Sequence, residues 1–382
     1  MRVLLAPNAF KGSLGAREVA EVTGARLAEQ LPEAEFIKVP IADGGDGTVD
    51  VLLAVGFAEM GTASVDALMR ANESRLARLG ATVVIELAEI CGLAGVQDLP
   101  PRPWQTSSLG VGLAARAALF SGAEHLMIAL GGSASVDGGL GLLAGLGYQL
   151  LDANGDHVSP TASGLERVSS IGPSADQPLI DGCTWTLLVD VESPACGPSG
   201  AAQVFGPQKG FTVVECHRVD AAMRNWCEIV SRFGERFTAS ELEELPGAGA
   251  AGGFAVAASG VIGARIDSGA EVIARLTNLA GAVADADVVV IGEGRLDEQT
   301  LAGKGPAFVA QIAKAARKKV FAIAGSSTLT ANQYLELGIE SEHDVVTLVD
   351  VAGSVAAALE DPRHWLGAAC EVLGERLIAS GL

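Results

Sequence analysis

The sequence predicts an α/β fold: an open parallel sheet built from both ends of the chain, interrupted by an inserted middle domain that is itself α/β. Three observations predict it. Short β-branched runs alternate with longer Ala/Leu-rich segments for most of the length, the pattern of βαβ units. The 382 residues suggest two domains at a prior of roughly 150 residues each. The chain also carries 48 glycines against 15 prolines, without a Gly-every-third repeat. That excess over a usual share of about 7% belongs in ordered loops, since disordered and collagen-like chains show other patterns.

Taken in order, Arg2–Ala6 reads as a first strand, followed by a helix carrying Ala16, Val19, Ala20, Thr23 and Leu27 at spacings of three and four. Phe36–Ile41 is a second strand, and Thr48–Val55 opens a helix directly after Gly-Gly-Asp-Gly. At the far end, Asp287–Ile291, Val320–Ala324 and Val345–Val349 are strands separated by helices near Pro306–Arg317 and Thr330–Leu337. A last helix is expected across much of Val355–Ala379. In the middle, strands fit Thr82–Leu87, His125–Leu130 and Thr184–Val191, and helices fit Gly110–Phe120, Gly138–Leu146 and His217–Phe233. This gives one domain from 1–63 with 284–382, and an inserted domain over 64–283.

Charge narrows the partners. With 26 Lys+Arg against 46 Asp+Glu, the net charge of −20 repels phosphate backbones and anionic lipid, which argues against nucleic acid and membrane. Aromatic residues, at 4%, are too few for base-stacking platforms. No apolar run approaches the ~18 residues of a membrane span, and the N-terminus reads as a strand, not a secretory signal. The six cysteines form no CxxC pair and the five histidines do not cluster with them, so neither a disulfide framework nor a zinc site is expected. The expectation is a cytoplasmic protein, monomeric or homodimeric.

Six segments concentrate glycine with acids, hydroxyls and cations: Pro7–Ser13, Ala42–Thr48, Gly131–Gly139, Asp190–Gly210, Pro246–Gly253 and Gly292–Lys304. The first, second, third and sixth directly follow a predicted strand, where open α/β sheets bind ligands. Glycine there lets backbone N–H groups approach an anion. Asp43, Asp46, Asp137, Asp190 and Asp297 supply hard oxygens of the kind Mg²⁺ prefers, and Lys11, Lys209, Arg295 and Lys304 are cations set among them. The set suits a nucleoside triphosphate, a metal and a transferred phosphoryl group. Each feature alone has a blander reading, as a tight turn, a helix cap or a solvated lysine. Six together, most of them at strand ends, are harder to read that way.

Familiar motifs are absent. Gly247–Gly252 fits GxGxxG but follows an acidic, helical-looking stretch where the dinucleotide fingerprint needs a strand. Lys304 lacks the earlier glycine and the following Ser or Thr of a phosphate loop. Ser133 and Ser135 do not sit in GxSxG. Glu86, amid the apolar residues of Val83–Leu87, needs a partner, either in a site or in a structural hydrogen-bond network.

The segments APNAFKGS, PIADGGDGT, GGSASVDGG, DVESPACGPSGAAQVFGPQKG, PGAGAAGG and GEGRLDEQTLAGK, in this order, closely resemble the bacterial glycerate kinase family over essentially the whole chain. The resemblance implies a Rossmann-like domain from both chain ends, an inserted α/β domain and an interdomain cleft. It also implies Mg²⁺-dependent transfer of the γ-phosphoryl group of ATP to D-glycerate, giving 2-phosphoglycerate. The chain departs from the family pattern at Asn8-Ala9, Asp46, Ser135-Val136, Glu192–Ala195 and Ser107–Leu109.

Within this frame Asp190, Lys11, Asp43, Lys209 and Arg295 are the expected catalytic residues, with Asp43 or Asp190 on Mg²⁺ and Asp190 favoured as the base. Lys11 and Lys209 would offset γ-phosphate charge, and Arg295 would grip the glycerate carboxylate. Expected phosphate and substrate contacts come from Ser13, Gly44, Gly45, Asp46, Gly47, Thr48, Gly131, Gly132, Ser133, Ser135, Asp137 and Gly138. Gln208, Gly252, Gly253, Glu293, Asp297, Gln299, Thr300 and Lys304 complete the set. Three alternatives stay open: a kinase of another short hydroxy acid, a non-catalytic nucleotide sensor, and a nicotinamide oxidoreductase suggested only by GxGxxG.

Overall fold

A computed structural model describes residues 1–302 and 305–381. In chain order the strands are β1 (Arg2–Pro7), β2 (Glu35–Lys38), β3 (Ala58–Val65), β4 (Ala71–Leu79), β5 (Thr82–Glu86), β6 (His125–Ala129), β7 (Gln149–Leu151), β8 (Ser170–Gly172), β9 (Thr184–Leu188), β10 (Arg265–Asp267), β11 (Val288–Leu296), β12 (Lys319–Ser327) and β13 (Val345–Thr347). The chain divides into two compact units, one of Met1–Asp43, Asp50–Gly56 and Ala270–Leu382, the other of Gly44–Val49 and Phe57–Gly269.

The first unit holds a parallel five-stranded sheet in the order β13-β12-β11-β1-β2. Leu4, Val289 and Val320 stand side by side and face one core, while the next row, Leu5, Val290 and Phe321, faces the other. Burial on both faces is why these strands read as unbroken apolar runs. Helices Ala16–Gln30 and Pro362–Ala379 cover one face through Val19, Leu27, Leu366 and Leu373. Helices Leu279–Asp285 and Pro306–Ala315 cover the other through Val283, Val309 and Ala313. Strand order runs outward from β1 to β2 on one side and from β11 through β12 to β13 on the other. The reversal therefore falls between β1 and β11, where such sheets open a ligand crevice.

The second unit is built on a six-stranded sheet ordered β10-β9-β6-β5-β4-β3, in which β10, β9, β6 and β5 are parallel and β4 and β3 antiparallel. β7 and β8 pair separately. The helix Val213–Gly234 starts at a capping box between Thr212 and Glu215, and buries Cys216, Val219, Met223, Trp226 and Val230 along one stripe.

Several expectations are corrected. The β3–β4 hairpin was not anticipated; because β3 pairs with β4, the stretch from Phe57 belongs with the second unit instead of ending the first near 63. Position 284 lies inside the helix Leu279–Asp285, and the chain returns to the first unit at Gly269/Ala270. The terminal helix is two, Val355–Glu360 and Pro362–Ala379, because Pro362 lacks the N–H and starts a helix more readily than it continues one. Among the described residues, no helix is long and apolar enough to cross a membrane.

Candidate active site

In the first unit a cavity of about 420 Å³ opens beyond the carboxyl ends of β1 and β11, at the strand-order reversal. Its polar side is lined by Asn8, Lys11, Asp43, Glu293, Arg295 and Thr300, and its apolar side by Leu348, Val355 and Leu359. The turn after β1 places Lys11. Phe10 is buried, its N–H bonds Leu14 O at 2.8 Å, and Ser13 Oγ donates to Phe10 O at 2.8 Å. The turn is thus closed by its own groups, with Lys11 exposed at its tip. Ser13 spends its hydroxyl on that closure.

The extension of β11 places the acids. Thr300 Oγ1 donates to Glu293 Oε2 at 2.9 Å and accepts from Asp297 N at 3.1 Å. Burial pushes the Glu293 carboxyl above the usual range, against the pull of the Thr300 hydroxyl and the Lys11 ammonium. Asp297 Oδ1 accepts from Gln299 N at 2.9 Å, and its Oδ2 lies 3.5 Å from Arg295 Nε. Asp297 therefore closes the turn that follows Arg295. Lys304 lies outside the described residues.

In the second unit, three loops interlock. The Gly44–Thr48 turn lies on the Gly131–Ser135 loop, with Gly131 N donating to Gly44 O at 3.3 Å. A Cβ on Gly131 would stand 2.3 Å from Gly45 Cα, so only glycine permits this approach. Glu86, at the end of β5, accepts from Gly47 N at 2.8 Å and Val49 N at 2.9 Å and so fixes the turn. Burial raises its pKa to about 7, with those two N–H groups pulling it down. Thr48 is fully buried and donates to Gly45 O at 2.7 Å.

Lys209 is buried, and its Nζ donates to Ser133 Oγ and Ser135 O, both at 2.7 Å. Desolvation lowers its pKa to about 7, opposed by the charge of Asp137. Asp190, in the loop after β9, accepts from Ser268 Oγ at 3.1 Å. Asp46 meets the same loop, since a Cβ on Gly132 would lie 2.3 Å from Asp46 Oδ1.

The structure reassigns several expected ligand contacts. Asp137 is fully buried and accepts from Ser108 N and Oγ at 2.8 Å, Ser135 Oγ at 3.2 Å, Gly141 N at 3.2 Å and Gly139 N at 3.3 Å. Its oxygens are occupied by the protein, so it shapes the loop and does not face a ligand; burial raises its pKa against these bonds. Gly138 accepts from Trp226 Nε1 through its carbonyl at 2.9 Å. Gly252 and Gly253 are packing positions: a Cβ would lie 2.2 Å from Ser135 O at the first and 2.4 Å from Met223 Cε at the second. Gln208 is exposed beside the buried Lys209 and does not share its contacts. Ser108 entered the sequence reading only as part of a departure from the family pattern, and Ser268 was not singled out, because a lone hydroxyl does not show which distant carboxylate it will meet.

Among the described residues no group of three or more His, Cys, Asp or Glu could hold a metal ion. Mg²⁺ usually takes one or two protein carboxylates and completes its shell with water and substrate phosphates. Asp43, on the cavity wall near Glu293 and the Thr300 hydroxyl, and Asp190, oriented by Ser268, are oxygen donors of that kind.

A family model described as the glycerate kinase family matches residues 3–377. The chain is 35% identical over 352 residues to the glycerate 2-kinase of Escherichia coli (strain K12), covering 91% of each chain. It is 35% identical to the glycerate kinase of Bacillus subtilis (strain 168), covering 91% of this chain and 90% of the relative. A crystal structure of a Salmonella typhimurium LT2 protein assigned as glycerate kinase 2 superposes with a TM-score of 0.82 at 34% identity, covering 100% of both chains. With two α/β units, a cavity at a strand-order reversal and these matches along its length, the chain is an enzyme belonging to the glycerate kinase family.

Proposed function

We propose that this enzyme transfers the γ-phosphoryl group of ATP, with Mg²⁺, to the 2-hydroxyl of D-glycerate, giving 2-phospho-D-glycerate. The observation that carries the reading is the cavity at the β1/β11 reversal, which sets Lys11 and Arg295 beside Asp43 and Glu293 in a chain of net charge −20. A local pair of cations in an acidic protein serves an anionic ligand. The name of the Escherichia coli relative supports the 2-position.

Phosphoryl transfer asks mainly for positioning and for offsetting charge on the equatorial oxygens. In this reading Lys11, exposed on a rigid turn, neutralises γ-phosphate oxygens. Arg295 takes the glycerate carboxylate in a two-pronged pair. Asp43 or Asp190 holds Mg²⁺, which when bound draws charge from the phosphate oxygens. Asp190, steadied by Ser268, accepts the proton of the attacking hydroxyl. Lys209 acts through Ser133 and Ser135, because its ammonium is buried against them.

Incubation with ATP, Mg²⁺ and D-glycerate, read by phosphorus NMR, tests the reading. Acceptor-dependent ADP release with 2-phospho-D-glycerate as product is expected. A 3-phospho product removes the regiochemistry. Turnover only with another hydroxy acid from a panel moves the acceptor, and ATP binding without acceptor-dependent ADP release leaves a sensor.

A further inference from the structure

The cavity has a second wall that the phosphoryl chemistry does not use. From the β1/β11 reversal it extends past the ends of β12 and β13, through Gly325 and Ser326, to Leu348, Val355 and Leu359. Val355 and Leu359 are one helical turn apart on Val355–Glu360, so both face one way. They are 55% and 61% exposed although they line a cavity. Leu348 and Ala358 line the same cavity and are buried. A three-carbon, highly hydroxylated acid has no use for such a surface, and about 420 Å³ lies in the range of roughly 300–1,000 Å³ typical of sites for larger organic ligands.

The ligand this shape fits is one that is anionic at one end and flat and apolar at the other. We propose that the wall formed by Val355, Leu359 and Leu348 seats the purine base of the phosphoryl donor, with its polyphosphate directed toward Lys11. The proposal rests on the kinase reading above and deepens it by giving the nucleotide a direction within the first unit: base toward β13, phosphates toward the β1 turn. In open α/β sheets a nucleotide lying across the carboxyl ends of the strands at the reversal point is the expected mode. Leu348, Val355 and Leu359 offer apolar contact to the base, and Ser326, which lines the same cavity, is a polar residue within it.

Two measurements test this. In wild-type protein with labelled Val and Leu methyl groups, ADP should shift the Val355 and Leu359 signals, whereas inorganic triphosphate should leave them in place while perturbing residues around Lys11. In Leu359→Asp and Val355→Asp, a carboxylate against the base should weaken ADP binding about tenfold by calorimetry and raise the KM for ATP. The KM for D-glycerate should stay within about twofold. Unshifted methyl signals at saturating ADP overturn the assignment. Unchanged ADP affinity in folded variants, or a rise confined to the glycerate KM, does the same. The wild-type methyl experiment decides the matter if the aspartate variants do not fold. Failure of the kinase reading shows separately, as absence of acceptor-dependent ADP release from wild-type enzyme.

Discussion

Two lysines, one in each unit, show how one residue type takes two jobs. Lys11 is exposed on a turn whose own backbone and Ser13 close it, so Lys11→Ala removes a charge without loosening the fold. Turnover should fall by about 10²–10³-fold, the scale for losing one donor to developing charge, with an unchanged melting temperature. Wild-type rates from the variant would remove Lys11 from the chemistry. Lys209 is buried and committed to Ser133 and Ser135, a placement that single residues in a sequence do not reveal. Glu86 was legible only as a charge needing a partner; the partners are the backbone N–H groups of Gly47 and Val49, which lie 39 and 37 positions away in sequence. Its pKa, raised from 4.5 to about 7, sets a sign for stability. Between those values the folded state binds the extra proton, so this residue's contribution is fully present below pH 4.5 and is lost as pH rises through 7. In Glu86→Gln that dependence disappears. Urea midpoints of both proteins from pH 4.5 to 8 should show the wild-type advantage shrinking with pH, and an advantage that grows instead would reverse the assignment.

At the scale of elements, the second unit holds loops pressed together without side chains between them. In Gly131→Ala the new Cβ would lie 2.3 Å from Gly45 Cα, so the two loops must part. A displacement near 1 Å is enough to cost about 10²-fold in kcat/KM. In Gly252→Ala the residue keeps a φ of +69° and its Cβ would lie 2.2 Å from Ser135 O, so a stability loss of about 2–4 kcal/mol is expected in denaturant melts. Were Gly252→Ala as stable as wild type, its packing role would be wrong. The glycines were legible as a group, but their division into approach and packing roles was not, because both leave the same letter in the sequence. Strands β11 and β12 were legible because both their faces are buried. The β3–β4 hairpin was not: its inward pair, Ser64 and Ser74, bond each other at 2.6 Å, and a buried hydroxyl pair gives no hydropathy alternation.

At the scale of the whole molecule, the two units differ in how the chain supplies them. The second takes its whole sheet from one continuous stretch, Phe57–Gly269. The first places β1, from the N-terminal end, between β2 and β11, and covers β1 with helices from both ends. A fragment of 57–269 carries its own sheet and its own core around Trp226 and Phe254, so it should fold with a cooperative thermal transition. It lacks Gly44–Val49, and with it the Gly47 and Val49 N–H groups that bond Glu86, so it should melt below the intact chain. A fragment of 270–382 keeps β11, β12 and β13 but exposes the long β11 edge and the apolar rows that Leu4 and Leu5 complete. Such an edge pairs with whatever strand is offered, so this fragment alone should aggregate or lack a cooperative transition. Adding a 1–56 peptide should restore one, because it returns β1 and β2 to their places in the sheet. Cooperative folding of 270–382 by itself, seen by circular dichroism or dispersed amide signals, would show that the order of the sheet does not govern the stability of the first unit.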